Sequence, residues 1–256
     1  MLYNYKIIRA IQFAIETHET NQKQKRKGKD VPYITHPLTV GLILSRAGAD
    51  EDTVVAGILH DTIEDSTSEN KVTYEVLKKK FERKVADIVH SVSETNKSLS
   101  WDQRKEEALK DIRKFSHESL LVKSADIISN GTELIEDYKK DGDAVFARFN
   151  APKEKILEHY VRSITAIIET WAENPLADDL RSVGRDIQFM NVWGFMAERP
   201  AKSIDYRDYD IDMLLECPVC GWRGTPRESD YINTDSHFAL DVSCPNCDKM
   251  LLIASW

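Results

Sequence analysis

Apolar residues recur at intervals of three and four positions from Ile7 to Trp171, which is the spacing of one face of an α-helix. The spacing predicts a series of helices separated by glycine or polar turns. The predicted helices cover residues 7–18, 37–47, 52–59, 72–81, 85–92, 101–115, 120–138 and 153–171. No strand pattern of comparable strength occurs before residue 200, so the first domain is predicted to be a helical bundle.

The pattern changes in the last third of the chain. Residues 174–210 are too rich in apolar side chains for a free linker, so they are expected to pack on the helical domain or on a partner subunit. Residues 238–242 alternate as a strand does. The chain is therefore predicted to be mainly α, with a helical domain at 1–173, an apolar connecting segment at 174–210 and a small β-rich module at 211–256.

Composition limits the classes of function. The chain has 256 residues, of which 41% are hydrophobic and 30% are charged, as in ordinary globular proteins. No apolar run is long enough for a membrane helix and no signal-peptide core is present, so a cytoplasmic location without membrane contact is expected. The net charge of −8 argues against general DNA binding, which needs a broad basic surface.

One short segment concentrates side chains that can carry chemistry. His60 and Asp61 are neighbours that can reach one cation, and Glu64 and Asp65 follow on the same face of one predicted helix. A metal-binding pair followed one turn later by two carboxylates is expected for metal-assisted hydrolysis of a phosphate ester. The metal would lower the pKa of a bound water, and a carboxylate would move the proton.

Two further segments supply candidate metal ligands. Pro37 follows His36 directly, which predicts that His36 precedes a helix opened by Pro37. Asp126 lies in an apolar helical stretch, and Asn130 follows one turn later. The four candidate ligands are His36, His60, Asp61 and Asp126. Two nitrogen and two oxygen ligands suit Mn²⁺, Fe²⁺ or Zn²⁺. The alternative is that the histidines are hydrogen-bonded core residues and the aspartates are helix caps.

These motifs, in this order, resemble those of the HD-domain hydrolases of the RelA/SpoT-homologue family, in particular the small stand-alone alarmone hydrolases. The matching residues are Arg26-Lys27, Pro32 to Pro37, Leu59 to Asp65, and Lys123, Ala125, Asp126 and Asn130. The resemblance extends over the first two thirds of the chain. It implies an all-helical HD domain that uses Mn²⁺ to remove the 3′-pyrophosphate from guanosine tetra- or pentaphosphate.

Three features depart from the family pattern. Ile127 stands where the family usually has arginine, and Ser129 stands where it usually has histidine. The loop at 26–32 is one residue longer than the common pattern. These departures affect the part of the site expected to contact the guanine base, and they leave room for a different base or sugar.

The predicted roles follow from this arrangement. Glu64 and Asn130 are expected to orient or deprotonate the metal-bound water, and Asp65 to help move a proton to the leaving oxygen. The predicted substrate-binding cations are Arg26, Lys27, Lys123 and Arg148. The first two lie in a basic loop leading to the first ligand, although such a loop could simply be solvated. Lys123 could instead form an internal salt bridge.

All 4 cysteines lie near the C-terminus, in two Cys-x-x-Cys pairs. The pairs are Cys217 with Cys220 and Cys244 with Cys247. This spacing predicts a structural Zn²⁺ site in a zinc ribbon, with no open coordination position for catalysis. Disulfides are the competing interpretation, which the absence of any export signal disfavours. Zinc would supply about 10 kcal/mol or more of folding free energy to a module with a very small core.

Two other functions remain open from the sequence. A phosphohydrolase acting on NADPH or other nucleotides would use similar ligands. A nucleotide-sensing adaptor would use the ribbon to bind a protein or RNA, although the Glu64-Asp65 pair and the few basic residues of the ribbon argue against it. No alarmone synthetase segment is recognised, so the predicted partner is a nucleotide polyphosphate that is only hydrolysed. Residues 174–256 are the predicted place for contact with a second copy or a protein partner.

Overall fold

Nine α-helices and six β-strands occur in the part of the chain that a computed structural model describes, residues 4–94, 98–192, 202–232, 239–247 and 249–255. The helices are α1 (Tyr5–Ile15), α2 (Thr35–Arg46), α3 (Glu51–Leu59), α4 (Thr62–Asp65), α5 (Tyr74–Val92), α6 (Trp101–Ile112), α7 (His117–Asp141), α8 (Lys153–Thr170) and α9 (Ala177–Val192). The strands are β1 (Lys202–Asp205), β2 (Leu215–Glu216), β3 (Arg223–Gly224), β4 (Asp230–Ile232), β5 (Ala239–Ser243) and β6 (Met250–Ser255). The chain divides into two units, Met1–Val183 and Gly184–Trp256. A helical unit followed by a small β-rich unit confirms the predicted fold class.

Polar caps define where the helices begin. Asn4 caps α1 by accepting hydrogen bonds from the backbone N–H groups of Lys6 and Ile7. The cap of α3 is Asp50, which accepts from the N–H of Thr53 at 2.8 Å. The sequence predicted Asp52 as this cap, two residues later, which was wrong. α5 joins the two predicted helices at 72–81 and 85–92 into one, with a break at residue 82, where φ is +74°.

The predicted continuous helix from His60 to Asp65 was wrong. α3 ends at Leu59, and α4 is a separate helix of four residues. The Thr62 hydroxyl donates to the Leu59 carbonyl at 2.7 Å, which satisfies one of the acceptors left at the end of α3. His60 and Asp61 therefore lie at a junction between helices, where neighbouring side chains can point toward a common centre.

The predicted start of α2 was also wrong. The helix begins at Thr35, so His36 lies inside its first turn instead of ahead of it. Pro37 is tolerated there because the N–H groups of the first turn have no acceptor within the helix.

The core of the first unit surrounds α3. Every residue from Thr53 to Leu59 is buried, as expected of a helix that is apolar on all sides. α1, α2, α5 and α7 all pack against it. Its C-terminal end therefore delivers His60 into the interior of the bundle.

Two glycines allow α2 and α3 to approach closely. A Cβ atom on Gly57 would lie 2.2 Å from Leu44 Cδ1, and one on Gly41 would lie 2.7 Å from Ile58 Cγ1. Neither distance is possible between real atoms, so a larger residue would push the helices apart. This close contact sets the separation of the two helices that carry His36 and His60.

α9 lies within the segment predicted to connect the two modules, and it was not predicted as a helix. Its buried apolar residues recur at helical spacing at Leu180, Val183, Ile187 and Met190, so the sequence did contain the signal. Residues 193–201 of the same segment lie outside the described residues. The predicted domain limits at 173 and 210 stay a prediction.

The second unit contains a four-stranded sheet in the order β1-β6-β5-β4. β6 pairs in parallel with β1 and antiparallel with β5, which pairs antiparallel with β4. β5 corresponds to the strand predicted at 238–242, although position 238 lies outside the described residues. A separate hairpin of β2 and β3 flanks the first cysteine pair. Among the described residues, no helix is both long enough and apolar enough to cross a membrane.

The contact between α2 and α3 generates a prediction about stability. Replacing Gly57 with alanine places a methyl group against Leu44, and overpacking of this kind costs about 1–3 kcal/mol. Alanine gains about 1 kcal/mol over glycine in a helix, so the net effect is expected to be destabilising. Urea unfolding followed by circular dichroism should show a lower midpoint. The control is Leu42→Ala, at a position that is 71% exposed on α2, which should change the free energy of unfolding by less than about 0.5 kcal/mol. A Gly57→Ala protein as stable as the original would contradict this account of the contact.

Candidate active site

Three elements bring the four predicted metal ligands together. His36 comes from the first turn of α2, His60 and Asp61 from the junction of α3 and α4, and Asp126 from α7. The Nε2 atoms of His36 and His60 are 3.3 Å apart. Asp126 Oδ1 lies 3.3 Å from His36 Nε2 and 3.8 Å from His60 Nε2. Asp61 Oδ2 lies 3.0 Å from His60 Nε2 and 3.6 Å from His36 Nε2.

Hydrogen bonds on the outer side of each imidazole orient the two rings. His60 Nδ1 lies 2.8 Å from the Gly57 carbonyl, which can only accept, so this nitrogen carries the proton. His36 Nδ1 lies 2.9 Å from the Ser129 hydroxyl. When Nδ1 of a neutral imidazole is protonated, the lone pair of Nε2 is available to a metal ion. Both Nε2 atoms face the shared centre.

The donor atoms fit one divalent cation. Nitrogen and oxygen ligands bind such ions at about 2.1 Å, which places neighbouring ligands about 3 Å apart. The distances from the histidine Nε2 atoms to each other and to the two carboxylates, 3.0–3.8 Å, are of this size. The donor atoms of His36, His60 and Asp126 all lie within 4.8 Å of one another. Two imidazoles and two carboxylates, without sulfur, form a ligand set used by divalent transition metals.

The charges of the cluster favour a positive charge at its centre. Burial alone would raise the pKa of Asp126, but Lys123 and the two histidines lower this pKa well below its usual range. The pKa of Asp61 is likewise lowered by His60 and His36, against the effect of burial. Burial alone would lower the pKa of His60, but Asp61 and Asp126 raise it to about 9. A proton held in this way must leave when a metal ion binds.

Glu64 is a half-buried carboxylate next to the ligand cluster. Its Oε1 accepts a hydrogen bond of 2.6 Å from the backbone N–H of Glu94. Burial, together with the negative charge of Asp61, raises the pKa of Glu64 to about 7. A carboxylate with a pKa near neutrality is suited to exchange a proton with a reacting water.

Asp65 is held differently from Glu64. Its Oδ2 accepts from Gln24 Nε2 at 2.8 Å, and Gln24 Oε1 lies 2.7 Å from His18 Nδ1. His18 is fully buried in the helical turn Glu16–Thr20 that follows α1, and it belongs to this chain of hydrogen bonds. Asp65 is not among the described residues that line the cavity beside the cluster, whereas Glu64 is.

Asn130 connects the cluster to the basic loop. Its Nδ2 donates to Asp126 Oδ1 at 2.6 Å, and its Oδ1 accepts from Arg26 Nη2 at 2.6 Å. Arg26 Nε also donates to Glu133 Oε2 at 2.9 Å, and the guanidinium lies over the ring of Tyr33. Arg26 is thus tied to α7, on the side of the cluster where Asn130 lies.

The other predicted cations occupy two different places. Lys123 Nζ lies 2.9 Å from Asp126 Oδ2, which is the internal salt bridge that the sequence left open as an alternative. Lys27 Nζ lies over the ring of Phe149, and burial with the nearby Arg148 lowers its pKa. Arg148 Nη1 pairs with Asp137 Oδ2 at 2.6 Å. Lys27 and Arg148 are therefore neighbours, whereas Lys123 supports a metal ligand.

A cavity of about 280 Å³ opens beside the ligand cluster. Its described lining is Tyr33, His60, Asp61, Glu64, Val92, Glu94, Arg104, Lys105, Val122, Lys123, Asp126 and Asn130. Ligand-binding pockets commonly begin at about 300 Å³, so the cavity can hold a phosphate-bearing part of a small molecule. Three of the four candidate metal ligands, His60, Asp61 and Asp126, line this space together with Glu64.

Sequence reasoning missed three residues of this cavity. Tyr33 was seen only as part of a motif, but its hydroxyl donates to Asp61 Oδ2. Arg104 and Lys105 lie on a polar helix that gave no sign of facing a site. Glu94, which follows α5, also lines the cavity, and residues 95–97 lie outside the described residues. Only the packing of α6 against the rest of the bundle brings its cations to the cavity.

The four cysteines form a second candidate metal site. Their Sγ atoms all lie within 4.8 Å of one another, with 3.6 Å from Cys217 to Cys247 and 3.5 Å from Cys220 to Cys244. Four thiolates around one ion at about 2.3 Å stand nearly this far apart. A disulfide would need about 2.05 Å, and all four cysteines are free. Gly221, with φ of +74°, closes the turn after the first pair.

Comparison with protein families identifies the kind of domain that the helical unit forms. The family described as HD domain matches residues 10–156. The guanosine-3′,5′-bis(diphosphate) 3′-pyrophosphohydrolase of Danio rerio is 35% identical over 130 residues, which are 50% of this chain and 68% of that protein. The enzyme of the same name from Aquifex aeolicus is 44% identical over 92 residues, which are 36% of this chain and only 12% of the relative.

Two solved structures are also similar to this chain. A metazoan SpoT orthologue described as hydrolysing ppGpp has a TM-score of 0.58 at 25% identity, over 72% of this chain and 96% of its own. A protein from Listeria monocytogenes has a TM-score of 0.54 at 29% identity, over 60% of this chain and 97% of its own. Almost the whole length of each structure is matched, so these similarities concern a complete domain.

The hydrogen bond between Ser129 and His36 generates a prediction about metal affinity. Removing the partner of a metal-binding histidine typically lowers metal affinity about 10- to 100-fold, because the ring loses its orientation and its preferred tautomer. Ser129→Ala is therefore expected to weaken Mn²⁺ binding by this factor in calorimetry. Nitrogen NMR of the metal-free protein should show more of the Nε2-protonated tautomer of His36.

The matched control is Ser124→Ala. Ser124 is a fully buried serine on the same helix, and its hydroxyl donates to the Leu120 carbonyl, away from the cluster. This variant should retain Mn²⁺ affinity. Unchanged affinity in the Ser129→Ala protein would show that Ser129 does not position His36.

Proposed function

The chain belongs to the HD-domain family, and we propose that it is a metal-dependent hydrolase that removes the 3′-pyrophosphate from guanosine tetra- or pentaphosphate. The observation that carries the proposal is the approach of His36, His60 and Asp126 to one centre, with Asp61 Oδ2 close to both imidazoles, beside a cavity that Glu64 lines. The names of the relatives supply the substrate, since the cavity itself specifies only a phosphate-bearing ligand. The carboxylate next to the metal ligands also favours hydrolysis over a purely sensing adaptor.

The proposed cofactor of this site is Mn²⁺, held by His36, His60, Asp61 and Asp126. A divalent ion at this position would supply a bound water with a lowered pKa. Glu64 is proposed to take the proton of the attacking water, and the hydrogen bond from the Glu94 N–H supports this role by fixing its carboxylate. Asn130 holds Asp126, and Lys123 neutralises the outer oxygen of the same carboxylate.

Asp65 and the basic loop have proposed roles outside this centre. Asp65 is proposed to help protonate the leaving oxygen, with Gln24 fixing its carboxylate. Arg26, Lys27 and Arg148 are proposed to contact the nucleotide, since they cluster beyond Asn130 and include an aromatic neighbour, Phe149. The proposed metal of the cysteine site is Zn²⁺, in a structural role. Contact of residues 174–256 with a second copy or another protein stays a prediction.

Turnover of guanosine tetraphosphate with added Mn²⁺ tests the proposed reaction. GDP and pyrophosphate should appear, and Asp61→Ala should abolish their release because a metal ligand is lost. Glu64→Gln should keep the metal but slow turnover roughly 10²- to 10⁴-fold, as expected for loss of a general base. Glu75→Gln is the matched control, since this side chain on α5 is 74% exposed and should not affect the rate.

The possible failures are distinguishable. A Glu64→Gln protein that binds Mn²⁺ and turns over at the original rate would refute the role of Glu64. An original protein that binds Mn²⁺ but releases no pyrophosphate would exclude the alarmone as substrate. NADPH and other nucleotides would then be tested with the same variants.

Metal analysis tests the cysteine site. The purified protein is expected to contain one zinc ion per chain bound to the cysteines, and Cys244→Ser should lose it. Because this unit has a small core, β5 and β6 should then lose protection from hydrogen exchange. Val219→Ala, at a position that is 62% exposed between two cysteines, should retain both zinc and protection. Full protection of these strands in a zinc-free protein would contradict a structural role for the metal.

A further inference from the structure

Two adjacent cations in the cavity wall share one carboxylate. Lys105 Nζ lies 2.6 Å from Glu94 Oε1, and Arg104 Nη1 lies 3.5 Å from Glu94 Oε2. The three side chains are between 20% and 31% exposed, so they are largely removed from water but accessible from the cavity. All three line the cavity that His60, Asp61 and Asp126 also line. The group formed by Arg104, Lys105 and Glu94 has a net positive charge.

Arg104 also has an unused donor. Its Nε is buried and has no hydrogen-bond partner among the described residues. A buried donor left without a partner costs free energy, which an incoming acceptor would recover. The planar guanidinium offers several donors in a fixed geometry that matches the oxygens of phosphate.

The remaining cation in the described lining is already engaged. Lys123 also lines the cavity, but its Nζ is 2.9 Å from Asp126 Oδ2, a candidate metal ligand. A polyphosphate carries more negative charge than one metal ion neutralises. Arg104 and Lys105 are therefore the lining residues best placed to bind phosphate oxygens away from the metal.

We propose that Arg104 and Lys105 form a phosphate-binding subsite, which the Glu94 carboxylate occupies when no substrate is bound. A carboxylate and a phosphate present similar oxygens to the same cations, so the two compete for one place. The ligand class is a phosphate or pyrophosphate group of a nucleotide. The choice of a nucleotide rests on the proposed function, whereas the anion subsite rests on the geometry of these three residues.

Glu94 also connects this subsite to the carboxylate proposed as general base. Its side chain holds Arg104 and Lys105, and its backbone N–H donates to Glu64 Oε1. When a phosphate releases the Glu94 side chain, the backbone contact with Glu64 can remain. Glu94 thus contacts both the proposed phosphate subsite and the carboxylate proposed as general base.

Binding of inorganic pyrophosphate tests the subsite. Calorimetry is performed on protein loaded with Mn²⁺ and freed of excess metal, so no turnover is required. Arg104→Met and Lys105→Met should each weaken binding about tenfold, as expected for the loss of one charge-assisted hydrogen bond. Glu94→Gln should instead tighten binding, because the competing charge is gone while the size of the side chain is kept.

Weaker pyrophosphate binding in the two cation variants and tighter binding in Glu94→Gln distinguish a binding site from a purely structural ion pair. If the three residues only stabilised the fold, breaking the ion pair from either side would weaken binding or leave it unchanged, and the proposal would be overturned. Lys110→Met removes the same charge from the exposed part of α6 and should not change binding. An equal loss of pyrophosphate affinity in this control would show that the overall charge of the protein causes the loss, and it would also overturn the proposal. Failure of alarmone turnover leaves this test intact, since pyrophosphate binding is measured directly.

Discussion

The close packing of α2 against α3 is the constraint on which the candidate active site depends. Gly41 and Gly57 remove the side chains that would hold these helices apart, and every residue at 53–59 is buried. Because interiors are densely packed, the separation of the helices has little freedom to vary. His36 at the start of one helix and His60 at the end of the other are consequently held with their Nε2 atoms 3.3 Å apart.

Burying so many ionisable side chains is tolerated because each has a partner of opposite charge or a hydrogen-bond donor. Asp126 meets Lys123 on one oxygen and the histidines on the other, and Glu64, which has a raised pKa, is held by a backbone N–H. A buried charge without compensation would cost several kcal/mol. The cluster is therefore organised for a cation at its centre. The same reasoning explains why Glu94 lies between Arg104 and Lys105.

The departures from the family pattern have structural consequences in this chain. Ser129, which stands where the family usually has histidine, approaches Nδ1 of His36 and takes part in orienting that ring. Ile127 is 5% exposed, so it adds to the packing of α7 where an arginine would bring a charge. The cavity consequently draws its cations from α6 and from Lys123 among the described residues.

Residue types and spacing were enough to predict the helical bundle, the cysteine-bearing module and the side chains that meet at the cluster. Such features depend on local periodicity and on ligand chemistry, both of which are written along the chain. The junction between α3 and α4 at His60 and Asp61 was mispredicted, and so was the start of α2. Both depend on the packing of neighbouring elements, which decides where a helix begins and ends. The inward position of Arg104 and Lys105 could not be predicted, since a polar helix has no periodicity that marks a cavity-facing cation. Only the packing of α6 against residues distant in sequence decides which of its charged side chains are exposed to solvent and which line the cavity.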